Sequence, residues 1–288
     1  MMHALREVMH SLRASPGFAV ALLLTLVAAG FNGLMVGLMA LRLDFLLPGP
    51  FARMAHFTEL HHRVHDLTFA FLFVPAIVGI IAQLRRPSKN VAGMLMALIP
   101  SVGLLLTLLL TLVLTSNARV LQPPWVTVMV AALLAALLHP AERAFFRSFR
   151  VSRVNWVMLT LVVIAAVPLL GFAVTNIDLQ GTVTDEHAAA GHYGFMAAFG
   201  FTVIGVGLLA SLRPDGWRLS AWVAGLLPVL LGVTSVVYPD ASSSLDLVWA
   251  VAAMAWGVVF VAAAELTEEA ELPTPLRLRG AVSESERA

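Results

Sequence analysis

From Phe18 to Leu266 the sequence passes through one apolar stretch after another, each near the ~20 residues that cross a hydrocarbon core and none charged at its middle. A chain built this way cannot bury so much apolar surface against itself in water, so its solvent is a bilayer. The composition agrees. Asp, Glu, Lys and Arg together make up 12% of the 288 residues and the hydrophobic types 59%, whereas soluble domains carry about 25% charged residues.

The polar, Gly and Pro punctuation divides the chain into spans at Phe18–Leu41, Leu67–Leu84, Val91–Thr115, Pro124–His139, Trp156–Thr175, Tyr193–Leu212, Ala221–Tyr238 and Leu245–Leu266. The expected fold is therefore all-α, a polytopic bundle of eight transmembrane helices. The fourth span is the shortest and needs thin bilayer or flanking residues to cross. Arginine and lysine are retained on the cytoplasmic side of short loops. With the N-terminus inside, fourteen basic residues fall on inner segments, among them Arg13, Arg86, Arg147, Arg150 and Arg213, and only Arg42, Arg53, Arg63 and Arg119 fall outside. The expected location is the cell membrane, with both termini cytoplasmic.

Net charge is +1, which gives no reason to expect nucleic acid; the partner implied is the lipid bilayer. The absence of cysteine removes disulfides, thiolate metal sites and iron–sulfur ligation. No Gly-x-Ser-x-Gly elbow and no His-Glu-x-x-His occurs, so nothing in the sequence points to a hydrolase or a membrane protease.

Two halves share a pattern. Ser11-Leu12-Arg13-Ala14-Ser15 precedes the first span, and Ser148-Phe149-Arg150-Val151-Ser152 precedes the fifth. His65 stands 21 and 22 residues before Arg86-Pro87, and His192 stands 21 and 22 before Arg213-Pro214. Pro100 and Pro228 then fall within the next span of each half. The spacing predicts a parallel duplication, with four-helix halves at 1–140 and 141–266 and a disordered cytoplasmic tail at 267–288.

The residues with chemistry gather at one membrane edge. Glu59-Leu60-His61-His62-Arg63-Val64-His65-Asp66 opens the second span, and Asp185-Glu186-His187 with His192-Tyr193 opens the sixth. On a helix, imidazoles three or four residues apart share a face and can meet one cation. His61, His65, His187, Asp66 and Glu186 are thus candidate ligands for a divalent metal. Alternatively His65 and His192, with His62 nearby, hold a b-type haem between the second and sixth spans. A solvated polar cap that binds nothing is the third reading. Ion-coupled transport needs ionisable groups at mid-membrane, and the spans have none.

Residues 4 to 48, with Ser11-Leu12-Arg13-Ala14-Ser15-Pro16-Gly17-Phe18 followed by Leu24-Thr25-Leu26 and Asn32, resemble the first span of macrolide-exporter-type ABC permeases. That resemblance implies a permease-like transport component with a partner ATPase. His192-Tyr193-Gly194-Phe195-Met196 and the helix to Arg213-Pro214 look like the histidine-bearing helix of haem–copper oxidase main subunits and of nitric-oxide-response membrane haem proteins, implying a haem ligand at His192. Glu59-x-x-His62-Arg63 looks like the corresponding motif of haem A synthase, also built from two four-helix halves. The expectation is an integral membrane protein holding one haem b or divalent metal at its outer histidines; a transport component and a structural membrane subunit are the alternatives.

Overall fold

A computed structural model describes residues 15–41, 43, 46, 60–84, 87–116, 123–140, 147–150 and 153–271, and among them the regular structure is all helix, with no strand. Residues 1–14, Glu59 and 272–288, which carry part of the permease resemblance, one candidate motif residue and most of the expected tail, lie outside the described residues.

The helices are α1 (Pro16–Ala40), α2 (Arg63–Gln83), α3 (Val91–Thr115), α4 (Pro123–Leu137), α5 (Trp156–Thr182), the one-turn α6 (Glu186–Ala190), α7 (His192–Leu212), α8 (Trp217–Val237) and α9 (Leu247–Glu271). All but α4 and α6 are long and apolar enough to cross a membrane, seven in number, and α4 is the shorter eighth. The chain is a helical membrane-spanning protein. Helices satisfy every backbone group within one segment, which lipid requires.

Four boundaries differ from the sequence reading by four residues or more, the start of α8 at Trp217 rather than Ala221 being one. Helix α2 begins at Arg63 rather than Leu67, following a 3-10 turn at Leu60–His62. Its first turn is polar yet buried against other helices, so hydropathy alone could not place it in the span. Helix α5 runs on to Thr182, 27 residues and about 40 Å, because Asn176, Asp178 and Gln180 continue the helix beyond the apolar segment. Helix α9 continues past Leu266 to Glu271, taking in the start of the expected tail.

Burial ranks the helices. Of their apolar windows, 67% of α2 and 72% of α7 lie inside the protein, against 17% of α5 and 22% of α9. Helices α2 and α7 are therefore the centre, and α1, α5 and α9 turn residues such as Leu23, Val167 and Val258 outward toward lipid. Small residues let the backbones close up. A Cβ on Gly257 would stand 2.3 Å from the Gly225 carbonyl oxygen, so α8 and α9 meet at this glycine pair, and one on Gly79 would stand 2.2 Å from the Gly93 carbonyl oxygen between α2 and α3. Short α4 is fastened at both ends. Trp125 stacks on Phe73 with ring centroids 4.4 Å apart, and beyond the helix His139 Nε2 sits 3.1 Å from Gln83 Oε1.

Gly257→Ala should lower resistance to denaturation by detergent by roughly 1–3 kcal/mol, because the added methyl meets backbone rather than a side chain that can turn away. Gly171→Ala, with nothing within 4 Å of the new methyl, should not; equal losses in the two variants would refute the close approach.

His139 supplies a pH test. Burial pulls its imidazole from 6.5 down to about 4, although the Pro87 carbonyl favours the charged form. A folded-state value below the unfolded one means that stability is fully present above the unfolded value of 6.5 and is lost as pH falls toward 4. Thermal stability should therefore drop less steeply across that interval in His139→Phe than in the wild type, and parallel curves would contradict this assignment.

Candidate functional site

The site is built where the first turns of the two central helices meet. Their N-termini lie at the same end of the bundle, so the polar residues opening α2 face those opening α7. Helix α6 adds a third element. Asp185 caps it, its carboxylate accepting from the Ala188 amide at 2.8 Å and from the Tyr193 hydroxyl at 2.9 Å. Gly191 then takes φ +78°, the left-handed region where glycine carries no steric penalty, and turns the chain from α6 into α7. His187 and His192, on opposite sides of that turn, consequently reach one centre.

Gln180, on the extension of α5, holds this corner in place. Its Nε2 donates to the Ala188 carbonyl at 2.7 Å and its Oε1 accepts from the Gly194 amide at 2.9 Å. The loop between α8 and α9 closes the other side, where the Ser242 amide donates to the His61 carbonyl at 3.0 Å.

Within this frame His62, His65, His187 and His192 are all buried, and one ring nitrogen of each lies within 4.8 Å of the others. This is a buried histidine cluster able to bind a metal ion. The packing of rings is close: His62 stacks on His187 with centroids 4.4 Å apart, and His65 lies 5.0 Å from His187 and 5.2 Å from His192. The Nδ1 atoms of His62 and His192 are 3.4 Å apart.

Each imidazole also has an oxygen beside one of its nitrogens. Glu186 Oε1 lies 3.5 Å from His62 Nε2, Asp185 Oδ2 lies 3.6 Å from His187 Nδ1, and Asp66 Oδ1 lies 3.9 Å from His192 Nε2. Ser243 Oγ lies 2.7 Å from His65 Nε2. His65 Nδ1 and Asp66 Oδ2 are buried with no hydrogen-bond partner among the described residues.

The candidate ligands of the sequence reading thus converge, but at two depths. His61, with a side chain 45% exposed, pairs with exposed Glu186 at 3.2 Å, while Asp66 is buried behind His192. Two of the carboxylates outside the spans are held ionised. The His61 hydrogen bond is the largest influence on Glu186 and, helped by His62 and His187, keeps it below the usual carboxylate range although burial pushes upward. At Asp185 burial pushes upward, and the Ala188 amide, the Tyr193 hydroxyl and His187 together outweigh it. Arg63, fully buried in the first turn of α2, donates to the Met39 carbonyl at 3.2 Å and ties the site to the end of α1.

Directly beneath the imidazoles the interior is aromatic. Phe69 of α2 packs on Phe195 of α7 with centroids 4.4 Å apart, and Phe69 and Phe73 stand edge to face at 5.2 Å. Elsewhere, a cavity of about 320 Å³ between α5, α7, α8 and α9 is lined by apolar groups, including Pro168, Phe172, Pro228, Trp249 and Trp256, and offers no ligating side chain. Sequence reasoning missed Ser243 and Gln180. A serine in Ala241-Ser242-Ser243-Ser244 and a glutamine at the end of an apolar helix carry no local signal of a partner far away in sequence.

Ser243 adopts φ +60° as well as contacting His65. Ser243→Ala should cost about 1–3 kcal/mol, because a buried ring nitrogen loses its partner. Ser243→Gly should cost less, since it removes the same hydroxyl but relieves the left-handed backbone; thermal unfolding of both variants that ranked glycine at or below alanine would contradict this account. No protein-family model matches the chain, and it has no match among curated proteins or solved structures, so its chemistry is read from these side chains alone.

Proposed function

We propose that the protein is a metal-binding membrane protein that holds one divalent transition-metal ion, of the kind that prefers imidazole, in the cluster of His62, His65, His187 and His192. The observation that carries this reading is the convergence of four buried imidazoles to within 4.8 Å. His65 Nδ1, buried with no hydrogen-bond partner among the described residues, is a polar atom that a bound ion would satisfy. A tetrahedral ion with metal–nitrogen bonds of 2.0–2.1 Å places its ligand nitrogens roughly 3.4 Å apart, and the two Nδ1 atoms of His62 and His192 already stand 3.4 Å apart.

The surroundings support a metal-binding role as well. A ligating histidine commonly donates its other N–H to an oxygen, which fixes the tautomer and raises ligand basicity. Glu186, Asp185, Asp66 and Ser243 stand at those positions for His62, His187, His192 and His65 respectively. In this reading His65 Nε2–H donates to Ser243 and its Nδ1 turns to the ion. Glu186 and Asp185, held ionised, set two negative charges beside the imidazoles. All-imidazole ligation suits zinc, copper, iron or nickel rather than magnesium or calcium.

A b-type haem between His65 and His192 is the less favoured occupant. Its iron would bring a macrocycle and four more nitrogens to the place where His62 and His187 put their rings. The aromatic layer of Phe69 and Phe195 directly below favours an ion retained at the end of the bundle over one conducted through it, which weighs against a permease-like role. The excess of arginine at the far end supports an extracytoplasmic position for the site. The corresponding places of His65 and His192 in the central helices agree with a duplication of halves 1–140 and 141–266.

Detergent-purified protein incubated with Zn²⁺ or Cu²⁺ and then desalted should retain at least one tightly bound ion per chain. His65→Ala/His192→Ala should retain that ion at least about tenfold more weakly, with unchanged helical circular dichroism. Retention should weaken in acid, as protons compete with the ion for the imidazoles. Wild-type protein that retains no ion would overturn the reading, and a Soret band would transfer the site to haem.

A further inference from the structure

The buried cluster has an antechamber. His62 belongs to two groups at once: its Nδ1 faces His192 at 3.4 Å, and its Nε2 faces the Glu186 carboxylate at 3.5 Å. His61, His62 and Glu186 each place one ligand atom within 4.8 Å of the others, forming a second set distinct from the buried four. The two sets thus lie on opposite edges of one imidazole ring.

Their exposures differ sharply. The His61 and Glu186 side chains are 45% and 58% exposed, whereas His62 is fully buried. Both adjoin the buried set through His62, while the Asp185 side chain, 37% exposed, adjoins it through His187. His61 and Glu186 are also held in place. The His61 carbonyl accepts from Ser242, and Glu186 opens α6, whose cap and Gln180 clamp fix it relative to α7.

We propose that His61, Glu186 and the Nε2 edge of His62 form an outer binding station that captures a hydrated divalent ion and passes it to the buried four-histidine site, with His62 as the ligand common to both. This rests on the reading of the buried cluster as a metal site. The outer station supplies what the inner one lacks, an exposed negative charge to attract the ion and ligands that can replace its water one at a time. The inner station supplies more imidazoles and exclusion from water. An ion at the outer station exchanges oxygen and nitrogen ligands for nitrogen ligands as it moves inward. As the ion moves inward its bond to His62 Nε2 breaks and one to Nδ1 forms, and the neutral ring changes tautomer, Nδ1 losing a proton to water and Nε2 gaining one from water beside the Glu186 carboxylate. An oxygen-containing outer set tolerates many divalent ions, while an all-imidazole inner set retains those that prefer nitrogen.

The test separates capture from retention. Co²⁺ is mixed rapidly with the full-length protein in detergent and followed by the visible absorption of the four-coordinate ion, and Zn²⁺ stoichiometry is then measured after equilibration. His61→Ala and Glu186→Gln should each slow loading, and together by at least about tenfold, in line with the steering a charged mouth provides, while the ion retained at equilibrium stays the same. High ionic strength should reduce the difference between Glu186→Gln and wild type. Loading of the double variant as fast as wild type would overturn the outer station and leave the buried site standing. Loss of the retained ion in the double variant would also overturn it, by showing that these residues hold the ion rather than deliver it. Wild-type protein that takes up no ion would remove both readings.

Discussion

A hydrocarbon solvent has no hydrogen bonds to give, and the rest of this structure follows from that constraint. Every backbone amide inside the membrane must be paired within its own helix, so the described chain is helix joined by short turns. Among the described residues the acidic and basic side chains stand near helix ends. Where two helices are buried on nearly all sides, as α2 and α7 are, their ends can carry polar groups that are neither in lipid nor fully in water. The histidine cluster occupies that kind of place.

The packing that creates the site is largely the work of small and aromatic residues. Gly79 against Gly93 and Gly225 against Gly257 bring neighbouring helices together at backbone distance, and the Phe69–Phe195 and Phe73–Trp125 pairs fill the space below the imidazoles. A dry floor strengthens each polar interaction above it, because the local dielectric is low. It also raises the cost of leaving any one of those nitrogens unsatisfied. Carboxylate and Ser243 oxygens stand beside the rings, and one nitrogen of each imidazole lies within 4.8 Å of the others.

The spans were legible because hydropathy is a local property, summed over residues adjacent in sequence. Its limits show at the start of α2, where buried His65 and Asp66 fall outside the span drawn from Leu67, and at α5, where the turns carrying Gln180 lie beyond the apolar segment. Of the site, the membrane edge shared by residues 61 to 66 and 185 to 192 was readable from the alternation of spans. The roles of Ser243 and Gln180 were not, because a single serine or glutamine gains its meaning only from what folding places beside it.

By itself the amino-acid sequence determined that the chain spans a membrane as helices and that its histidines lie near one end, since both depend on residue type and interval along the chain. Only tertiary structure decided that α2 and α7 are the central pair, that four imidazoles rather than two converge, and that His61 and Glu186 stand outside while Asp66 lies within. Those distinctions depend on which helix faces touch across more than a hundred residues of sequence, and on the turn at Gly191 that brings His187 and His192 to one point.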